Sequence, residues 1–223
     1  MIYKDRLDAG RRLALELTEY RGQDPLILAL PRGGVAVAAP IAEALDAALD
    51  LVLVRKIGVP LQPELAMGAV VDGTDVYIVR NEDIIGLAGI SEEEFKEASD
   101  RELAEIERRR NLYLKDRPRA DVKGRVAIAV DDGIATGATT RAALQALRKR
   151  TPEKLVLAIP VAPTSTLEEL SGKADAIVCL QRHEPFYAIS IYYADFHQVT
   201  DEEVIETLSK ARVPGAPRKH KVR

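Results

Sequence analysis

The stretch Val126-Ala127-Ile128-Ala129-Val130-Asp131-Asp132-Gly133-Ile134-Ala135-Thr136-Gly137-Ala138-Thr139-Thr140 decides the fold. Five unbroken apolar residues read as a strand buried on both faces, two carboxylates end it, and a turn of small and hydroxyl residues leads into a helix over 140–150. A strand of that kind belongs to a parallel sheet, so the pattern should recur along the chain. It does. Residues 26–30 are apolar and precede Pro31-Arg32-Gly33-Gly34 and an Ala/Val-rich helix over 35–45. Leu51-Val52-Leu53-Val54, residues 155–159 and residues 176–180 read as further strands, with a helix over 165–170 between the last two. An opening helix over 7–20 carries Leu13, Leu17 and Tyr20 on one side. The expectation is an α/β fold, a parallel sheet flanked by helices.

Residues 60–124 interrupt the alternation and read as a helical and hairpin insertion. Residues 67–71 and 76–79 form a hairpin pattern around Asp72-Gly73, and Ser91 with Glu94 is a capping box opening a helix to about Tyr113. Its Glu97/Arg101 and Glu105/Arg109 pairs and thin apolar stripe (Phe95, Leu103, Ile106, Tyr113) describe a solvated helix over the domain edge, or an arm that closes on a site or reaches a second subunit. Thr200 and Glu203 cap a last helix to about Ala211. These bounds give one domain over 1–212 and a basic, aperiodic tail over 213–223, a frayed end or a nucleic-acid arm.

Composition narrows the function. Of 223 residues, 47% are hydrophobic but only 4% aromatic, so the core is aliphatic. Against 32 basic residues stand 35 acidic ones, a net charge of -3, which leaves no global field drawing the chain onto nucleic acid or anionic lipid. Cys179 alone forms no internal disulfide and reads as a small core residue; three His build no zinc cluster. No apolar run approaches the roughly 20 residues that span a bilayer, and residues 1–6 lack a signal-peptide core, so a cytoplasmic location and no membrane partner are expected.

In the central stretch, free N–H groups at a helix start bind phosphate, and Gly137 with Ala138 permits close approach. Thr136, Thr139 and Thr140 add hydroxyls. Asp131 and Asp132 would repel that phosphate, so they suit hydroxyls or a cation a few ångströms away; a phosphorylated polyol with a metal satisfies both ends. An ordinary turn and N-cap, or a phospho-acceptor aspartate, are the alternatives. No GxxxxGK[ST] and no GxGxxG after the first strand occur.

The two acids followed by Gly-Ile-Ala-Thr-Gly-Ala-Thr resemble the phosphoribosyl pyrophosphate (PRPP) motif of type I phosphoribosyltransferases. Leu30-Pro31-Arg32-Gly33-Gly34 sits where that family places a pyrophosphate loop, and Arg55-Lys56-Ile57-Gly58 where it places cations near the diphosphate. Together with Glu64 to Val70 and Tyr192-Tyr193-Ala194-Asp195-Phe196, these are similar to a subgroup of unassigned acceptor. The resemblance implies a type I core with a small hood, and Mg2+-dependent transfer of ribose-5-phosphate from PRPP to a base or amine, with pyrophosphate released, as in nucleotide salvage. Asp131 and Asp132 would hold the ribose hydroxyls and help place Mg2+, directly or through those hydroxyls or water. Gly133 and Ala135, Thr136, Gly137, Ala138, Thr139 and Thr140 would form the substrate loop, with 135–139 around the 5-phosphate. Pro31, Arg32, Gly33 and Gly34 would contact pyrophosphate, with Lys56 and Arg55 neutralising it unless they merely end an exposed strand. A homodimer stays open.

The hood would comprise residues 1–6 and 181–199, where Phe186 and Tyr187 stack on a base and His183 or Glu184 bonds its edge, or where these residues simply pack. Members of the family that salvage 6-oxopurines resemble one another in an Asp before the Thr-Gly; Ala135 stands there in this chain. A PRPP-sensing regulator of the same fold and an unrelated phosphosugar enzyme are the rival readings.

Overall fold

The structure is a computed structural model, and it describes residues 2–72, 76–115 and 117–215. Gly73 of the expected hairpin turn and the tail from residue 216 onward lie outside them. Helix α1 (Arg6–Glu16) leads to β1 (Leu26–Ala29), α2 (Gly33–Leu45) and β2 (Ala48–Leu51). Next come β3 (Val54–Val59), β4 (Gln62–Val71), β5 (Tyr77–Arg80), α3 (Glu82–Ala88) and α4 (Glu92–Tyr113). The chain then runs through β6 (Val126–Val130), α5 (Ala138–Lys149), β7 (Lys154–Pro163), α6 (Thr164–Leu170), β8 (Ala176–His183) and α7 (Asp201–Lys210).

Five strands form a parallel sheet in the order β2-β1-β6-β7-β8. All five residues of β6 are buried, because one apolar cluster covers each face of the sheet: Val126, Ile128 and Val130 pack to one side, Ala127 and Ala129 to the other. Burying each Val or Ile side chain contributes about 1.5–3 kcal/mol.

The run 51–54 is not one strand. Strand β2 ends at Leu51 and Val54 opens a separate antiparallel sheet, β3-β4-β5. Asp50 disguised β2 in the sequence; it lies inside the strand at 6% exposure because its carboxylate accepts the N–H groups of Leu51 (2.8 Å) and Ala120 (2.9 Å). Strand β8 is only half-buried, since it forms an edge of the sheet, and Cys179 shares that partial exposure. Both capping boxes form, at Ser91/Glu94 and Thr200/Glu203. Helix α4 is more than a solvated arm: it buries Phe95, Ala98, Ile106 and Tyr113 as it packs across β3 and β4. Among the described residues, no helix is long and apolar enough to cross a membrane.

Candidate functional site

Strand order reverses between β1 and β6, and crevices for ligands open at the carboxyl ends of the strands at such a point. The two loops singled out in the sequence leave the sheet there side by side, with Leu30 N–H donating to the Val130 carbonyl at 2.9 Å. Their closeness depends on glycine. A Cβ on Gly33 would overlap the Asp132 carboxylate, and one on Gly34 would come within 2.7 Å of the Val130 carbonyl and 3.3 Å of Asp131 Oδ1. The expected pyrophosphate loop and the acidic pair are therefore one surface.

The start of the helix after β6 is equally well defined. Helix α5 begins after Gly137, whose φ of +71° is the left-handed conformation that glycine adopts without strain, and no side chain caps the first turn. Among the described residues its opening N–H groups have no protein acceptor, and they are aligned with the helix dipole. Thr166 holds the loop by donating to the Ala135 carbonyl (2.9 Å), while Ala135, Thr136 and Ala138 stay exposed and Thr139 is half-exposed. Two residues of the expected loop are buried. Thr140 is 2% exposed, because it starts the inward row continued by Ala143, Leu144 and Leu147. Gly133 is buried, and a Cβ there would stand 2.7 Å from Ile189.

The carboxylates differ in their partners. Asp131 accepts the N–H of Asp132 at 2.9 Å, and burial together with the neighbouring Asp132 charge pushes its pKa well above the usual carboxylate range. Burial also raises Asp132, opposed by Arg6, whose Nε–H donates to Asp132 Oδ2 at 2.7 Å. Sequence reasoning placed residue 6 in the hood and missed this bond; only the basic side chain itself hinted at it. The hood segments do meet: Tyr3 bridges to Tyr193, and the Tyr193 hydroxyl donates to the Asp132 carbonyl at 2.5 Å.

The cationic residues separate. Arg32, half-exposed, reaches Asp201 at the start of α7 (3.5 Å), which also accepts the Tyr113 hydroxyl at 2.6 Å. Arg55 faces α4 and pairs with Glu102 at 2.7 Å. Lys56, one residue on, faces the other way, into a cleft of about 390 Å³ shared with Ala138 and Arg141 of α5 but with none of residues 31–34. In the hood, Tyr192 stacks on His183 (4.6 Å between centroids) and Phe186 (5.3 Å), so those rings pack on protein. Glu184 accepts from Ser165, and Tyr187 is 79% exposed.

The family model for the phosphoribosyl transferase domain matches residues 1–195. The chain belongs to that family. A phosphoribosyl transferase domain is also what its relatives carry by name: "Putative phosphoribosyl transferase Rv0571c" of Mycobacterium tuberculosis H37Rv is 41% identical over 210 residues, as is its counterpart in strain CDC 1551. That match covers 94% of this chain and 47% of the relative, so the chain spans about half the length of the curated relatives it matches. Among solved structures, TT1426 of Thermus thermophilus superposes with a TM-score of 0.80 at 38% identity, over 93% of this chain and 98% of that one.

Proposed function

We propose that this chain transfers ribose-5-phosphate from PRPP to a nitrogen nucleophile and releases pyrophosphate. The observation that carries the reading is the contact surface of Gly33 and Gly34 with Asp131 and Asp132, set beside the uncapped start of α5. A diphosphate, a vicinal diol and a phosphate in sequence fit those three stations. The N–H groups of α5 bind the 5-phosphate, Asp131 and Asp132 accept from the ribose hydroxyls, and Arg32 with the glycine turn receives pyrophosphate. The acceptor nitrogen bonds to the ribose anomeric carbon, the bond from that carbon to the pyrophosphate oxygen breaks, and pyrophosphate leaves with the electron pair. The nitrogen's proton passes to solvent or to a base.

Among the described residues, no group of three or more His, Cys, Asp or Glu is placed to hold a metal ion, and one carboxylate of the pair already holds Arg6. That donor set fits a cation completed by substrate oxygens, as Mg2+ usually is, with Asp131 and Asp132 supplying the protein's share. A divalent cation held there would supply charge neutralisation for the departing diphosphate. Lys56, across the first turn of α5, adds a positive charge from the other side of the phosphate loop.

Incubation with PRPP, Mg2+ and a panel of purines, pyrimidines and amines, read as pyrophosphate release, tests the activity. Release with at least one acceptor is expected; PRPP binding without release in any arm would favour the sensing regulator instead. Hypoxanthine and guanine are expected to be poor acceptors, because Ala135 cannot exchange a proton. A kcat/KM of about 10⁴ M⁻¹s⁻¹ or more for either would refute that point.

A further inference from the structure

Arg6 opens α1 and is buried, at 7% exposure, although nothing in a helix start requires an arginine there. Its guanidinium is committed on three sides. Nε–H donates to Asp132 Oδ2 at 2.7 Å, Nη1 donates to the His197 carbonyl at 2.9 Å, and the plane lies over the Phe196 ring at 3.8 Å. The fourth neighbour is the missing side chain of Gly33, where a Cβ would stand 3.1 Å from Arg6 Nε. Four segments distant in sequence therefore converge on one guanidinium: the N-terminal hood segment, the glycine turn, the end of β6 and the C-terminal hood segment. The bond from Arg6 engages Oδ2 of Asp132, and among the described residues no side chain is bonded to Oδ1.

We propose that Arg6 is a positioning residue of the reaction centre: it grips Asp132 by Oδ2, turns Oδ1 toward the sugar hydroxyl, and so ties the ribose site to the hood. The assignment rests on the transferase reading above and goes beyond it, because it gives a hood residue a part in PRPP binding rather than acceptor choice. The competing account is a clamp that merely fastens the hood. A clamp needs an acceptor somewhere on the sheet, and backbone carbonyls would serve. Arg6 instead spends its most directional donor on a carboxylate of the central motif, with side-chain exposures of 8% and 13% for the pair.

The test is a double-mutant cycle on PRPP affinity in Mg2+, measured by calorimetry on wild type, Arg6→Met, Asp132→Asn and the double variant, with circular dichroism confirming that each is folded. Arg6→Met should weaken PRPP binding about 10- to 100-fold, the usual effect of losing a residue that orients a binding carboxylate. In the Asp132→Asn background the same change should cost no more than about twofold, since a residue that acts through Asp132 has nothing left to orient. Arg6→Lys should restore part of the loss. An equal penalty in both backgrounds, or none in wild type, overturns the assignment, while the transferase reading then stands or falls on pyrophosphate release by wild type. If wild type binds no PRPP, the transferase reading falls and this assignment with it. If Arg6→Met does not fold, the cycle is run with Arg6→Lys, on the same criteria.

Discussion

On the proposed function, Asp131 is the residue on which stability and function pull in opposite directions. It is half-buried beside a second carboxylate, accepts one backbone N–H, and has a pKa pushed up by burial and by Asp132. A carboxyl whose folded pKa lies above its unfolded value contributes stability below the unfolded pKa and loses it as pH rises through the folded one. Asp131→Asn keeps an oxygen for the Asp132 N–H and removes the charge. It should therefore stabilise the ligand-free protein by about 0.5–2 kcal/mol near neutral pH while reducing PRPP turnover. Thermal melts near pH 4 and pH 8 check the sign: the gain should be greater at pH 8, and a gain confined to pH 4 would contradict it.

At the scale of the element, strand β3 shows how a backbone sorts two adjacent cations. Side chains alternate across a strand, so Arg55 and Ile57 turn toward α4 while Lys56 turns toward α5. The Arg55–Glu102 pair is about one-third exposed on the arginine side and is worth at most about 1 kcal/mol. Lys56→Ala should lower kcat/KM for PRPP about 10²-fold, the scale of one lost electrostatic donor, whereas Arg55→Ala should leave turnover unchanged and shift only the melting temperature. Steady-state kinetics on the two variants settles the matter; equal losses would mean that the strand face does not separate their roles.

For the molecule as a whole, the cores are unequal. Two large clusters sandwich the parallel sheet, while a small third one, built on Tyr3, Ala9, Val161, Tyr192 and Tyr193, seats the hood. Elements with few buried apolar contacts open locally at less than the global cost. Native-state hydrogen exchange should show the β6 amides opening only with global unfolding, and those of Tyr3 and Ala194, which bond across the hood, opening earlier. Identical protection at both places would show that the hood is no separate unit.

The local pattern of the chain determined four of the five parallel strands, both capping boxes and the two glycine-containing loops at the strand ends, because an apolar run before a glycine turn, or a Ser three residues before a Glu, is a short-range physical statement. Strand β2 escaped because its Asp50 is satisfied by Ala120, 70 residues away. The partners of the cations were equally invisible. Arg32 with Asp201, Arg55 with Glu102 and Arg6 with Asp132 are pairings across 169, 47 and 126 positions, and no periodicity encodes them. Tertiary structure alone decided that a hood arginine grips a carboxylate of the central motif, because only folding brings the start of α1 and the end of β6 within hydrogen-bond reach.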